Sequence, residues 1–196
     1  MSKYEVREYA AKAGLRTAKK KESQEICFIT DNNYNRFLKE KVDGLENKLA
    51  HGKIMTESGE VVGEHDGYAF YTIGQRRGVG VAMNSPVYVT EISAKNNIIY
   101  VGSKKDLLAD GLTASEVNLI RHEKIDGKIP VTAKIRYNDI GHAGTLSENG
   151  NGEIQVEFDE AQHAITPGQS VVFYHEDEVL GGGIIDKILK QIPELV

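Results

Sequence analysis

The sequence predicts an α+β chain, mainly β: a short helical N-terminal segment, a small central β-rich domain and a C-terminal antiparallel β-barrel. Three observations predict it. Helical periodicity is confined to the stretch before Lys41. From Gly52 onward, short β-type runs follow one another closely, with no intervening helix for parallel crossovers. Turn-forming residues separate the runs, at Ser58-Gly59, Asn96-Asn97, 148–152 and Glu176-Asp177.

In chain order, residues 2–13 read as a short helix. Ser2 and Glu5 have capping-box spacing, Val6, Tyr9, Ala10 and Ala13 share one face, and Gly14 supplies the stop. So short a helix is marginal unless that stripe packs on something. Basic residues follow at Arg16, Lys19, Lys20 and Lys21, then an extended segment over 23–29. Asp31 suits the N-cap of a second helix running to about Lys41, with Tyr34, Phe37 and Leu38 on its inner face. Strands are expected at 53–55 and 60–62. A glycine-rich stretch follows, holding Tyr68, Phe70, Tyr71 and Gln75-Arg76-Arg77-Gly78. Pro86 marks a boundary, with further strands expected at 87–92, 98–101, 117–121, 131–137, 143–147, 154–158, 170–175 and 179–185. Gly181-Gly182-Gly183 lies between apolar residues and fits a bulge or close backbone approach at a barrel corner.

Composition sets the class. The chain has 196 residues, 40% hydrophobic and 27% charged, which suits one ordinary domain or two small ones rather than disorder. No run approaches the roughly 20 apolar residues of a membrane span, so no membrane partner is expected. The first residues lack a signal-peptide core. A single cysteine, Cys27, excludes an internal disulfide framework and a zinc site of cysteine pairs, and fits a reducing, cytoplasmic setting. The net charge of −5 argues against a globally basic nucleic-acid binder but leaves room for a local basic face. From 138 to 186 there is no lysine or arginine. The basic residues gather before Lys41, at Arg76-Arg77 and at Lys134–Arg136, the three places where a polyanion would bind.

Cys27 is the only strong nucleophile type. It reads either as a small core residue between Ile26 and Phe28, or as a thiolate favoured by the lysines at 19–21. The six histidines show no metal-ligand spacing, and no metal site is expected. His65 beside Asp66 is an oriented base or a satisfied loop histidine. There is no phosphate-cradling Gly-Lys-Ser/Thr loop and no strand-linked Gly-x-Gly-x-x-Gly. Arg76-Arg77, Arg136-Tyr137 and Gln169 have the donors and planar groups that RNA recognition uses, and each reads equally as solvated surface.

Several segments carry a resemblance. They are 17–23 running into Ile26-Cys27-Phe28-Ile29; Gly52-Lys53-Ile54; 63–67; 71–78; Thr166-Pro167-Gly168-Gln169; Val172-Phe173-Tyr174; and 180–185. In this order and over nearly the whole chain, they resemble the bacterial tRNA-specific 2-thiouridylases. That family begins with an ATP pyrophosphatase domain bearing a Ser-Gly-Gly-x-Asp-Ser loop and a first catalytic cysteine, neither of which occurs here. The resemblance therefore implies the C-terminal part of such an enzyme, inactive alone: residues 1–28 as the tail of the catalytic domain, 29–84 as a small central domain, and 85–196 as a tRNA-contacting barrel. It implies a cytoplasmic transferase that uses ATP and Mg2+ in its full length to adenylate the wobble uridine and then delivers persulfide sulfur, with no cofactor in this segment. Its partners would be tRNA and a sulfur-donor protein, either a persulfide relay or a cysteine desulfurase. By the resemblance, Cys27 carries the persulfide and Arg136, Tyr137 and Gln169 contact tRNA, with Lys19, Lys20, Lys21, Gln75, Arg76 and Arg77 as further contacts. Glu25 stands where the family usually has glycine, and a carboxylate there opposes thiolate formation at Cys27. No motif supports methyl transfer. The other reading is a non-catalytic β-barrel RNA-binding module in which Cys27 is a core residue.

Overall fold

The computed structural model describes residues 1–19, 29, 31, 33–83, 85–120, 123–149 and 153–190. Cys27, Lys20 and Lys21, and the extended segment expected over 23–29 apart from Ile29, lie outside these residues. The chain divides into two compact units, Met1–Leu45 and Glu46–Val196.

In the first unit, α1 spans Lys3–Lys12 and opens on the expected capping box of Ser2 and Glu5. Its apolar stripe is not buried: Val6 is 51% and Tyr9 64% exposed, and no α1 residue is buried. The second helix, α2 (Tyr34–Lys41), starts later than expected because Asn33, not Asp31, is its cap. The Asn33 carbonyl Oδ1 accepts the Arg36 N–H at 2.9 Å. Asp31 instead accepts the Asn33 N–H and pairs with the Arg36 guanidinium at 2.7 Å. A one-turn α3 (Leu45–Leu49), which nothing in the sequence signals, spans the division between the units and precedes the first strand.

The second unit holds a four-stranded sheet and a closed barrel. The sheet contains β1 (Gly52–Thr56), β2 (Val61–His65), β3 (Tyr88–Ser93) and β4 (Ile98–Gly102), in the order β2-β1-β4-β3. β1 and β2 form a hairpin through Gly59, and β3 and β4 form one through Asn97 (φ 53°). Their inward residues Ile54, Val89, Ile99 and Val101, with Val79 and Val87, make one core. β1 and β4 pair in parallel, Lys53 opposite Ile98. This seam departs from the all-antiparallel pairing that the turns suggest. It is possible because the long connection from β2 to β3 carries the chain back. The boundary expected near Pro86 groups β3 and β4 with the barrel, whereas β3 pairs with β4 and β4 with β1 in the four-stranded sheet.

The barrel strands are β5 (Leu108–Leu119), β6 (Lys128–Lys134), β7 (His142–Glu148), β8 (Ile154–His163), β9 (Ser170–His175) and β10 (Glu178–Leu189). They close in the order β10-β5-β8-β7-β6-β9, every seam antiparallel. Period-two alternation sends Val131, Ala133, Leu146, Val156, Phe158, Val171 and Phe173 inward. β5 starts at Leu108, well before the expected 117; the poor strand propensity of Ala109, Asp110 and Gly111 hides its first part in the sequence. Gly111 is required there: a Cβ on it would lie 2.4 Å from the Val156 carbonyl oxygen. The glycine run behaves as expected. A Cβ on Gly181, Gly182 or Gly183 would lie 2.4 to 2.7 Å from a neighbouring carbonyl, and β10 bulges on both sides of Gly182.

Candidate nucleic-acid interface

β6 ends at Lys134 rather than at the expected 137 because its next amide is diverted. The Ile135 N–H donates to Asp139 Oδ2 at 3.0 Å instead of continuing the ladder. Asp139 Oδ1 accepts the Gly141 N–H at 3.4 Å and faces His142 Nε2 at 2.9 Å. One carboxylate thus holds both ends of the 136–141 loop. Burial pushes the Asp139 carboxyl up, but the Ile135 and Gly141 amides and the His142 ring outweigh it and hold it below its usual value of 3.8. A depressed folded pKa adds stability that is complete above the unfolded pKa and is lost as pH falls through the folded one. The Asp139→Asn variant should therefore melt with a flatter acid dependence than the parent below about pH 5. Equal acid slopes in thermal unfolding followed by circular dichroism would contradict this.

The loop and the turn before β9 line a cavity of about 920 Å³. Lys134, Arg136, Tyr137 and Asn138 come from one side, and Gly168, Gln169, Ser170 and Tyr174 from the other. The expected contacts Arg136, Tyr137 and Gln169 are therefore brought together, although more than thirty positions separate the last from the others. Register explains it: Lys134 sits opposite Val172 across the β6–β9 seam. The Gln169 turn is pinned to β10 by the Ile185 N–H donating to the Gln169 carbonyl at 2.8 Å and the Gly168 N–H to that of Ile185 at 2.8 Å. The Gln169 side chain is exposed. Arg136 donates one guanidinium N–H to the His163 carbonyl, which fixes its plane and leaves donors for a phosphate. Lys134 Nζ lies 5.3 Å above the Tyr174 ring. Lys134 and Tyr174 complete the cationic, aromatic lining. Only knowledge of the β6–β9 register could have added Tyr174 to the set.

None of the described residues lining this cavity is acidic. A second barrel cavity, of about 890 Å³, is its electrostatic opposite: the described residues lining it include Glu116, Glu123, Glu148, Glu153 and Asp186, against one lysine, Lys124. A polyanion is repelled there and attracted to the first.

Arg76 and Arg77 are exposed on the turn after Tyr71. Gln75 serves that turn itself: its Oε1 accepts the Thr72 N–H at 3.0 Å and its Nε2 donates to the Arg77 carbonyl at 3.0 Å. The turn abuts the barrel, since a Cβ on Gly74 would sit 3.2 Å from that of Ala164, the residue after His163. Burial first, then the charges of Lys104 and Arg136, push the His163 imidazole down toward the neutral form. Lys19 is exposed in the first unit. His65 is not in a loop but ends β2, opposite Gly52; it is buried, its Nδ1 accepts the Gly67 N–H at 3.0 Å, and burial lowers its pKa. Among the described residues no group of three or more His, Cys, Asp or Glu could hold a metal ion. No helix among them is long and apolar enough to cross a membrane.

Three family models match the chain in succession. They are the tRNA methyl transferase HUP domain over residues 1–31, the tRNA methyl transferase PRC-barrel domain over 35–103 and the aminomethyltransferase beta-barrel domain over 109–185. The tRNA-specific 2-thiouridylase MnmA of Salinibacter ruber is 50% identical over 188 residues, 95% of this chain and 49% of its own length. Its namesake from Chlorobaculum tepidum is 47% identical over 192 residues, 98% of this chain and 52% of its own length. The chain belongs to the tRNA-specific 2-thiouridylase family. It spans about half the length of the curated 2-thiouridylases it matches. The break between the second and third family models falls between the end of the sheet at Gly102 and the start of the barrel at Leu108.

Proposed function

We propose that this chain is the sulfur-carrying and tRNA-contacting part of a cytoplasmic tRNA uridine 2-sulfurtransferase acting at the wobble position. The observation that supports this best is the convergence of Arg136, Tyr137 and Gln169 on one cavity with no acidic residue among its described lining, in a chain whose relatives are named tRNA-specific 2-thiouridylases. On this reading the barrel holds the RNA backbone through Arg136 and Lys134, and Tyr137 and Gln169 meet bases or riboses. Arg76 and Arg77 are further tRNA contacts on this reading, as are Lys19, Lys20 and Lys21. Cys27, in the segment that ends the catalytic domain, carries the persulfide delivered by a sulfur-donor protein. ATP and Mg2+ belong to the full-length enzyme. The residues present here do not fit them, since the sequence has no phosphate-cradling loop and the described residues hold no metal-binding group.

Binding of tRNA to this chain, measured by fluorescence anisotropy across a salt series, is expected to be weak and strongly salt-dependent. Arg136→Ala should weaken it by about 1 kcal/mol or more and lower the salt slope by about one. Parent-like affinity of the variant at low salt would remove Arg136 from the interface.

A further inference from the structure

The 136–141 loop displays apolar surface that the fold itself does not use. Tyr137 is 98% and Ile140 87% exposed. Neither side chain has a hydrogen-bond, ring or core partner among the described residues. The backbone beneath them is nonetheless held firmly. The Asp139 side chain, only 10% exposed, takes the Ile135 and Gly141 amides and the His142 ring. Gly141 has φ +89°, and a Cβ there would lie 2.5 Å from Thr132 Cγ2, so the return of the loop onto β6 tolerates no side chain. The His142 ring is braced edge-on against Phe158, with centroids 6.2 Å apart. A rigid support beneath two solvated apolar side chains is the arrangement of a preorganised contact, because the loop loses little freedom when its target arrives.

We infer that Tyr137 and Ile140 form an apolar wedge for unpaired nucleotides, and that Asp139 is the positioning residue that holds it. The inference rests on the RNA-binding reading above and narrows it to one class of RNA surface. An A-form duplex offers phosphates, 2′-hydroxyls and recessed base edges, none of which rewards an isoleucine. Splayed bases offer flat apolar faces for a tyrosine and an aliphatic neighbour. Lys134 and Arg136 line the same cavity as Tyr137 and can take the phosphates of the same nucleotides, and none of the described residues lining that cavity is acidic. Ile140 is absent from the residues that the resemblance transfers.

The test compares three RNAs on the intact chain: an unmodified tRNA transcript, an unstructured oligoribonucleotide and a blunt RNA duplex. The parent should prefer the oligoribonucleotide and the tRNA to the duplex. Tyr137→Ser and Ile140→Ser should each weaken oligoribonucleotide binding at least about fivefold and leave duplex binding unchanged. That loss should persist as salt is raised, unlike the loss in Arg136→Ala. Asp139→Ala should weaken oligoribonucleotide binding to a similar degree, yet add nothing in the Tyr137→Ser, Ile140→Ser background. A purely structural role would lower binding in both backgrounds. If the parent binds RNA but the wedge variants match it, or if it prefers the duplex, the wedge is refuted and the RNA-binding reading stands. A parent that binds none of the three overturns both.

Discussion

Cys27→Ser in the full-length enzyme is expected to abolish 2-thiouridine formation while ATP-dependent adenylation of tRNA continues at the parent rate. On the proposed reading the terminal sulfur of a Cys27 persulfide bonds to C2 of the uridine, and AMP departs with the former C2 oxygen. The S–S bond to Cys27 is then broken by the enzyme's other catalytic cysteine. Serine fails twice: its hydroxyl is not ionised near neutral pH, and its oxygen does not accept a persulfide sulfur by thiol exchange. Thiolation measured by mass spectrometry of the tRNA, beside pyrophosphate release, separates the two steps. Parent-rate thiolation by Cys27→Ser would remove Cys27 as sulfur carrier. Loss of both steps together would point to a role in adenylation instead.

Phe173→Ala is expected to cost about 3–5 kcal/mol, the range for a fully buried aromatic. Phe173 has 0% exposure, is among the largest fully buried side chains, and pairs with Ala133 on one side and Gly181 on the other. Both neighbours are small and fixed by close backbone contacts, so little can move into the space left behind. Against a total stability of about 5–15 kcal/mol, such a loss leaves the barrel marginal. Urea unfolding followed by circular dichroism measures it, with Tyr174→Ala as the control. Tyr174 is half-buried beside the cavity, and its truncation should cost far less. A Phe173→Ala loss below about 1 kcal/mol would mean that the core collapses around the site.

The barrel was legible in the sequence because its strands alternate cleanly and its turns carry the residues that turns require. Expected strands at 143–147, 170–175 and 179–185 lie within β7, β9 and β10. What escaped was pairing and capping. The parallel β1–β4 seam leaves no local trace, since both strands alternate as antiparallel ones do. The early part of β5 hid behind Asp110-Gly111, where a backbone contact with β8 overrides propensity. Asp31 and Asn33 both suit an N-cap, and the Arg36 guanidinium decides between them by engaging Asp31. At the interface, side-chain chemistry made Arg136, Tyr137 and Gln169 candidates for RNA, and the resemblance chose them over the solvated-surface reading. Asp139 was not reachable at all, because its role depends on three partners that only the folded loop assembles.

The six seams of the barrel are unequal. The β6–β9 seam joins three residue pairs, Thr132 to Tyr174, Ala133 to Phe173 and Lys134 to Val172, whereas the others join five to seven. Local opening should begin there, since that ladder has the fewest bonds to break. The Lys134 ammonium reaches diagonally across it to the Tyr174 ring, and both residues line the proposed RNA cavity. A polyanion seated there touches both lips of the seam and acts as a clasp, raising the free energy of opening by its own binding. Amide protons of β6 and β9 then exchange more slowly when the cavity is filled, while those of β5 and β8 keep their pace.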